Sequence, residues 1–298
     1  MLKVLGLGDN TVDVYLDQGQ GFPGGNAVNV SVFCSRQNAE AAYMGVFGSD
    51  SLGERLIDSL NKEAVDTSLC QVMEGPNAWA CVQHCDGDRH FLGSDPGVCK
   101  QLSLSTEQIK HLADYDLVHT SSYSGMDTYL KSIRENCTTL SYDLSDDWAD
   151  EQFRNVCSQV DLVFLSANDR TEEECRALAE RCSQCGAEHI VITRSNQGAL
   201  AYVAGEFYWQ EVIQTEVKDT MGAGDGFIAA YLIAWSSAQP TQVCLAQGAE
   251  YADLVCRQQG AFGYGFSIAD DFHDALKAKF QSVPTGFTNP TEENDDEI

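Results

Sequence analysis

Positive charge is scarce in this sequence. The 298 residues contain 18 Lys and Arg against 45 Asp and Glu, a formal net charge of −27 at pH 7. A surface with that charge opposes close approach to nucleic-acid phosphates and to anionic lipid headgroups. We therefore expect neither a nucleic acid nor a membrane among the partners of this protein.

Long hydrophobic runs are also missing. The longest apolar run, residues 227–235, is much shorter than the ~18 residues that a membrane span requires. The mostly apolar start, residues 1–8, stops at Asp9 and does not form a secretory signal. The 12 cysteines are scattered through segments that resemble helices and strands, which favours free thiols over a disulfide framework. Together these observations predict a cytoplasmic protein.

Several common active-site motifs are absent from the sequence. It contains no P-loop, no Gly-x-Ser-x-Gly elbow and no His-Glu-x-x-His pair. The dinucleotide pattern fails twice, because Thr11 and Phe227 stand where its third glycine belongs. Cys182 and Cys185 form the only Cys-x-x-Cys, without the further ligands that a zinc site needs. The sequence thus gives no support to these nucleotide-binding, hydrolase or zinc classes.

Short apolar runs alternate with longer helical patterns along the chain. The runs that predict strands are residues 3–8, 41–47, 116–119, 138–142, 161–165 and 189–193. The patterns that predict helices are residues 26–36, 52–63, 106–113, 128–136 and 172–185. Strands without polar alternation are typical of a parallel sheet that is covered on both faces. The predicted fold class is therefore α/β, with a central, mostly parallel sheet.

Two segments interrupt this alternation. Residues 11–16 and 68–92 resemble strands with no helix between them, and an Asp-Gly turn at 86–87 indicates a hairpin. These segments predict a small sheet that is separate from the main one. Residues 284–298 are acidic and have little to bury, so we expect a disordered tail.

The segment 219–227, Asp-Thr-Met-Gly-Ala-Gly-Asp-Gly-Phe, carries the clearest chemical signal. Its glycines leave backbone N–H groups uncovered just before an apolar helical run, an arrangement typical of an anion site at a helix N-terminus. Asp225 within this segment is either a helix cap or a general base. A base beside a bound phosphate could take the proton of an incoming hydroxyl, so the pattern favours phosphoryl transfer.

A second polar cluster lies near the start of the chain. It consists of residues 8–13, which follow a predicted strand, and residues 24–29, which open a predicted helix. Carboxylates and carboxamides here could hold several hydroxyls of a polyol, although Asp and Asn also favour turns and helix caps. The candidates are Asp9, Asp13, Asn26 and Asn29.

Together the two clusters resemble those of the ribokinase-type carbohydrate kinases, the PfkB family. Gly-Gly-Asn at 24–26 resembles the first signature of that family, and 219–227 matches its second, Asp-Thr-x-Gly-Ala-Gly-Asp-x-Phe. The resemblance implies a ribokinase-like three-layer sandwich with a small β-sheet lid over the sugar site. It assigns residues 1–10, 23–67 and 99–283 to the main domain, 11–22 and 68–98 to the lid, and 284–298 to the tail.

The resemblance also implies roles for individual residues. Asp225 would be the general base, and the backbone of Gly222, Ala223 and Gly224 would form the anion hole. The positions that match sugar-binding residues are Asp9, Asp13, Gly24, Gly25, Asn26 and Asn29. A Thr-x-Gly-x-x-Gly turn of the family falls on residues 193–198, so the implied ATP contacts are Thr193, Ser195, Gly198 and Gly224.

ATP and Mg²⁺ are the cofactors that the resemblance implies, with a monovalent cation such as K⁺ near Asp219 and the carbonyl of Met221. The family element Asn-x-x-Glu aligns imperfectly with residues 166–169, which leaves Asp169 and Asp219 as the metal candidates. Ser195 stands where the family usually has glycine. Residues 143–147, Asp-Leu-Ser-Asp-Asp, replace the Asp-x-Asn-x-Arg of many relatives, so the arginine is lost.

Within the family, residues 8–13, 22–33, 86–91 and 142–148 look closest to fructoselysine 6-kinases. This likeness implies ATP-dependent phosphorylation of fructoselysine at O6. The alternatives are another sugar kinase of the family, acting on fructose or 2-keto-3-deoxygluconate, and a non-catalytic sensor of sugar or nucleotide.

Two expectations concern the predicted lid. Arg89 and Asp95 are the candidates for contacts with the amino-acid part of the substrate, and the alternative for Arg89 is a solvated charge on a turn. An exposed lid edge would also invite pairing with a second lid, so we expect a homodimer through the lid.

Overall fold

An eight-stranded sheet forms the centre of the fold. A computed structural model describes residues 1–85, 88–213 and 216–280 of the chain. The strands are β1 Lys3–Leu7, β2 Thr11–Tyr15, β3 Gln20–Gly24, β4 Glu40–Met44, β5 Val46–Gly48, β6 Gln71–Met73, β7 Trp79–Cys85, β8 Asp88–Asp95, β9 Leu117–Ser121, β10 Leu140–Asp143, β11 Leu162–Ser166, β12 His189–Thr193, β13 Ala199–Val203, β14 Glu206–Gln210 and β15 Phe266–Ser267. The helices are α1 Asn26–Arg36, α2 Ser51–Lys62, α3 Thr106–His111, α4 Leu130–Asn136, α5 Asp150–Cys157, α6 Glu172–Gln184, α7 Ala223–Ser236, α8 Thr241–Cys256 and α9 Asp270–Phe280.

The large sheet has helices on both of its faces. Its strand order is β14-β13-β12-β11-β10-β9-β1-β4, parallel from β4 to β12 and antiparallel at β13 and β14. One apolar cluster joins it to α1, α2, α7 and α8, and a second, on the other face, joins it to α4, α5 and α6. This arrangement confirms the predicted three-layer α/β fold, because strands covered on both faces have no polar side.

A smaller, five-stranded sheet has the order β15-β3-β2-β7-β8. β2 lies antiparallel to β3 and parallel to β7, and β7 and β8 form an antiparallel pair. β15 pairs with β3 although residues 266–267 are outside the segments predicted for the lid. It covers an edge of β3 that would otherwise be open. The assignment of domains itself stays a prediction, and the turn at 86–87 and the tail at 284–298 lie outside the described residues.

One predicted strand is wrong. Residues 41–47 form two strands, β4 in the large sheet and β5 in a separate pair with β6. The chain turns at Gly45, where an added Cβ would lie 2.0 Å from Tyr43 Oη. The apolar run continues through this turn, because β4 and β5 are both buried, and so the pattern hides the break.

The helices and the cysteines can be compared with what the composition predicts. Among the described helices, none is both long enough and apolar enough to cross a membrane. The cysteines whose side chains are described are free thiols, as their scattered positions predict.

Candidate active site

Polar residues line one edge of the large sheet. Strands β1, β9, β10, β11 and β12 are parallel, so their carboxyl ends meet at this edge. The residues at or just after these ends are Asp9, Ser121, Asp143, Ser166 and Thr193. The carboxyl edge of an open parallel sheet is where α/β proteins bind their ligands.

Asp9 holds the start of α1 against the end of β1. Its carboxylate accepts hydrogen bonds from the Asn26 backbone N–H at 2.7 Å and from the Ala27 N–H at 3.3 Å. The hydroxyls of Ser121 and Ser124 donate to Asp9 Oδ1 at 3.1 and 2.8 Å. The structure therefore gives Asp9 a role in fixing α1, and its contact with a sugar stays a prediction.

Gly25 is required by the close approach of α1 to β1. Its φ is +105°, and an added Cβ would lie 2.7 Å from Asn10 Cα. At Gly24 an added Cβ would lie 2.5 Å from Asp13 Oδ2 and 3.9 Å from Asn29 Oδ1. The glycine pair thus leaves room for the side chains of Asp13 and Asn29 beside the backbone.

Asp225 meets both asparagines of α1. Asn26 Nδ2 donates to Asp225 Oδ1 at 2.8 Å, and Asn29 Nδ2 donates to Asp225 Oδ2 at 2.6 Å. Asp225 is the third residue of α7, whose N-cap is Gly222, so it does not occupy the cap position. Asn29 is 3% exposed, and its Oδ1 has no hydrogen-bond partner. The site therefore contains a held carboxylate beside a buried, unused acceptor.

Asp143 is a further carboxylate of this cluster, to which the sequence assigned no role. Its Oδ2 accepts from Asn26 Nδ2 at 2.9 Å, and its Oδ1 accepts from the Ser145 N–H at 2.9 Å. Burial raises the pKa of Asp143 to about 7; the Ser145 N–H opposes the shift, and the nearby charges of Asp225 and Asp9 add to it.

His119 also joins the cluster without a signal in the motifs. Its Nε2 lies 2.9 Å from Asn26 Oδ1, and its Nδ1 lies 2.8 Å from Ser141 Oγ. Burial lowers the pKa of His119 to about 3, so the ring is neutral near pH 7. The only pointer in the sequence is its place at the end of a predicted strand.

Two glycines at the start of α7, Gly222 and Gly224, serve different needs. Gly222 has a φ of +74°, and a Cβ there would lie 2.5 Å from Ala261 Cβ. Gly224 is exposed, and its Cβ position has no heavy atom within 4 Å. The Ala223 N–H donates to Thr220 O at 3.2 Å, within the turn. The fold requires Gly222, whereas Gly224 leaves space in front of the first helical turn, where N–H groups lack intrahelical acceptors.

Three of the four predicted ATP residues lie at the turn between β12 and β13, two strands from β10, whereas Gly224 lies in the first turn of α7. Thr193 Oγ1 is 3.3 Å from Ser166 Oγ. Ser195 has a φ of +49°, which explains why glycine suits this position. Gly198 has a φ of +85°, and a Cβ there would lie 2.1 Å from Gln210 O.

The two metal candidates have different surroundings. Asp169 is exposed after β11, next to Asn168, whose carbonyl accepts from Gln197 Nε2 at 3.2 Å. Asp219 is buried and accepts from Tyr15 Oη at 2.5 Å, the Gly260 N–H at 2.8 Å and the Met221 N–H at 3.0 Å. Within the part of the chain that the structure describes, no three acidic, His or Cys side chains are grouped to hold a metal ion. An exposed carboxylate fits Mg²⁺ that is held mainly by nucleotide phosphates, which needs only one or two such ligands.

The two lid candidates are only partly described. Arg89 belongs to β8, but its side chain lies outside the described residues. Asp95 ends β8, and its Oδ1 accepts from the Gly97 N–H at 2.9 Å.

Comparisons with known proteins agree on one family. The model of the pfkB family carbohydrate kinases matches residues 3–263. The chain is 35% identical over 269 residues to fructosamine kinase FrlD of Bacillus subtilis, covering 89% of this chain and 94% of that one. It is 31% identical over 256 residues to fructoselysine 6-kinase of Escherichia coli, covering 86% and 98%. The structure of Arabidopsis thaliana ribokinase complexed with ribose and ATP matches with a TM-score of 0.75 and 18% identity, covering 88% of this chain and 94% of that chain.

Proposed function

We propose, on the premise that this chain belongs to the pfkB family of carbohydrate kinases and is an ATP-dependent sugar phosphotransferase, that its substrate is fructoselysine. The product is fructoselysine 6-phosphate. Asp225 is the general base, the start of α7 is the anion hole, and the reaction takes place in the cytoplasm.

The observation that carries the proposal is the Asp225 carboxylate, which is held by two amides at the start of a helix. Asn26 and Asn29 each donate to one of its oxygens, which orients the carboxylate. The remaining lone pairs can take the proton of the sugar 6-hydroxyl as this attacks phosphorus. The unused Asn29 Oδ1 can accept a hydrogen bond from a second sugar hydroxyl.

The phosphoryl group is received at the start of α7. The open face of Gly224 lets an anion approach the first helical turn. The N–H dipoles of that turn stabilise the negative charge that develops during phosphoryl transfer. Bound Mg²⁺ would neutralise phosphate charge, and Asp169 is the described carboxylate beside the nucleotide turn. A monovalent cation such as K⁺ would bind near Asp219.

An amine-bearing substrate is favoured by the charge of the segment 143–147. Many relatives have an arginine at the end of this segment, whereas this chain has Asp146 and Asp147. Tyr123, which is 64% exposed, holds its Oη 2.7 Å from Ser145 Oγ beside them. An aromatic face with carboxylates suits a cationic amine, which fructoselysine carries and fructose and ketodeoxygluconate lack. The name of the Escherichia coli relative, fructoselysine 6-kinase, gives the same substrate, and that of the Bacillus subtilis relative, fructosamine kinase, gives a class that includes it.

ADP release with MgATP tests the proposal. Fructoselysine, fructose, ketodeoxygluconate and ribose are compared at one fixed concentration, and we expect fructoselysine to dominate. Asp225→Asn should lower kcat by at least about 100-fold while ATP binding and folding persist. Asp58→Asn, a neutralised carboxylate on the exposed face of α2, is the matched control and should leave kcat unchanged.

Other outcomes would support the alternatives. If fructose or ketodeoxygluconate is turned over fastest, the assignment as a sugar kinase stands and the assignment of fructoselysine as its substrate is wrong. Tight binding of sugar and ATP without ADP would favour a non-catalytic sensor. Near-normal turnover by Asp225→Asn would remove the general base from the proposal.

A further inference from the structure

We propose that His119 is a positioning residue, which fixes the Asn26 amide so that both of its hydrogens hold the Asp143 and Asp225 carboxylates. This inference rests on the proposed function, because the positioning matters through Asp225. Four contacts form one continuous chain of hydrogen bonds. They run from Ser141 Oγ to His119, from His119 to Asn26 Oδ1, and from Asn26 Nδ2 to Asp143 and to Asp225.

The donors and acceptors of this chain follow by elimination. Asn26 Nδ2 carries two hydrogens and lies 2.9 Å from Asp143 Oδ2 and 2.8 Å from Asp225 Oδ1. With the amide turned over, Asn26 Oδ1 would face the Asp225 carboxylate at 2.8 Å, and an acceptor would meet an acceptor. Asn26 Oδ1 therefore faces His119, which must carry its proton on Nε2.

The other side of the imidazole is fixed as well. A neutral ring with its proton on Nε2 has an acceptor at Nδ1, and Ser141 Oγ lies 2.8 Å from it. The Val118 carbonyl, at 3.5 Å, is the more distant partner for the single hydroxyl hydrogen of Ser141. Ser141 and His119 lie on adjacent strands, β10 and β9, whose pairing holds the ring in place. His119 is fully buried, with no measurable exposure, so water does not compete for either nitrogen.

The consequence for Asp225 is a loss of orientation when His119 cannot donate. The Asn26 amide could then rotate, and Asp225 would lose the donor that orients its Oδ1. Asp143 and Asp225 would also lose the N–H groups that separate their oxygens, and like charges at short range repel. Turnover should fall because the base is misplaced, while ATP binding at β12 and β13, on the far side of β10, should not change.

Two amide substitutions separate positioning from simple packing. In His119→Gln the amide nitrogen reaches the level of Nε2, whereas in His119→Asn it reaches only the level of Nδ1. We expect His119→Gln to keep kcat within about fivefold of wild type, and His119→Asn to lower it about 30-fold, with the KM for ATP unchanged in both. Equal losses of kcat in the two variants, at equal thermal midpoints, would overturn the proposal.

A measurement on the unmodified protein guards against variants that fail to fold. The ¹⁵N shifts of the His119 ring should report a neutral ring, protonated at Nε2 and not at Nδ1, from about pH 5 to 8. A proton on Nδ1, or a ring that titrates in this range, would overturn the proposal without any assay. If the wild type forms no ADP with any sugar, the proposed function fails and the inference falls with it. If the wild type is active and the Gln and Asn variants behave alike, only the inference fails.

Discussion

Gly222 and Gly224 stand two residues apart in one turn, yet the structure requires only the first. Gly222 combines a positive φ with a close approach to Ala261, whereas a side chain at Gly224 would point into open space. A glycine that the fold does not need, at the start of a helix beside Asp225, fits the anion hole that we propose there.

This difference predicts that an added methyl group lowers stability at Gly222 and lowers turnover at Gly224. Gly222→Ala should lower the free energy of unfolding by about 2 to 4 kcal/mol, because it adds strain and a steric clash. Gly224→Ala should leave stability within about 0.5 kcal/mol but lower kcat by about tenfold or more, because the methyl group crowds the phosphate. Urea denaturation and ADP release measure the two effects. Wild-type turnover by a stable Gly224→Ala protein would contradict the assignment of the anion hole.

Asp143 makes stability depend on pH. Its pKa is raised to about 7 by burial, so the unfolded chain releases this proton at a lower pH than the folded protein does. The folded state binds this proton more tightly than the unfolded chain does, and this stabilises the fold. The contribution to the free energy of unfolding is complete below about pH 4 and is lost as the pH rises towards 7. The charged groups that face it are Asp9, Asp146 and Asp225, and His119 in the same cluster stays neutral.

The wild type should therefore become less stable as the pH rises from about 4 to 7, and the Asp143→Asn variant should not show this decrease. The difference in unfolding free energy between the two proteins should change by up to about 4 kcal/mol across that range. Denaturation at a series of pH values measures it, with Asp58→Asn as the exposed control. A constant difference would mean that Asp143 ionises normally.

Local motifs predicted part of this cluster and missed the rest. Asn26, Asn29 and Asp225 stand in recognisable segments that open helices, and the structure brings them together. His119 lies in the middle of the buried strand β9, and Asp143 ends the buried strand β10. Their contacts depend on which strands lie side by side, and the local sequence around each residue does not predict that order.

At the scale of elements, prediction succeeded where one apolar pattern ended at a clear signal. The predicted bounds of α1, residues 26–36, are those of the structure, because two glycines precede it. The pattern did not reveal β13, β14, α5, α8 or α9. β14 is the edge strand of the large sheet and has no buried residue, and β13, which pairs with it, is buried only over its first three residues. Such elements are selected by packing against the finished sheet more than by their own periodicity.

The turn between β12 and β13 carries a strain that glycine would relieve. Ser195 has a φ of +49°, which costs a residue with a side chain about 1 to 2 kcal/mol. Ser195→Gly should stabilise the protein by about 0.5 to 1 kcal/mol after the greater entropy of the unfolded chain is subtracted, and raise the Tm by about 1 to 3 °C. Ser195→Ala, which keeps the strain, is the control. Equal melting temperatures for the Gly and Ala variants would show that the backbone stores no strain there.

For the whole molecule, we expect a dimer through the smaller sheet. β8 is the edge strand of that sheet, and Phe91 on it is 62% exposed. Two chains of net charge −27 repel each other, so added salt should strengthen the association. Sedimentation should give twice 32.6 kDa, and Phe91→Lys should shift the mass towards one chain. Val243→Lys, at an exposed position on α8, is the control, and a single-chain mass at every concentration and salt would exclude the dimer.

The starts of α1 and α7 meet at Asp225, and the two helices pack side by side in the apolar layer beneath it. The separation between the two asparagines, which we propose to face the sugar, and the turn that we propose to face the phosphate is therefore fixed by a rigid, closely packed interior. An engineer who wishes this enzyme to accept a different sugar should leave both helices unchanged. New specificity is better sought at the exposed positions of β8, because the buried residues of β2, β3 and β7 belong to the same apolar cluster as the two helices.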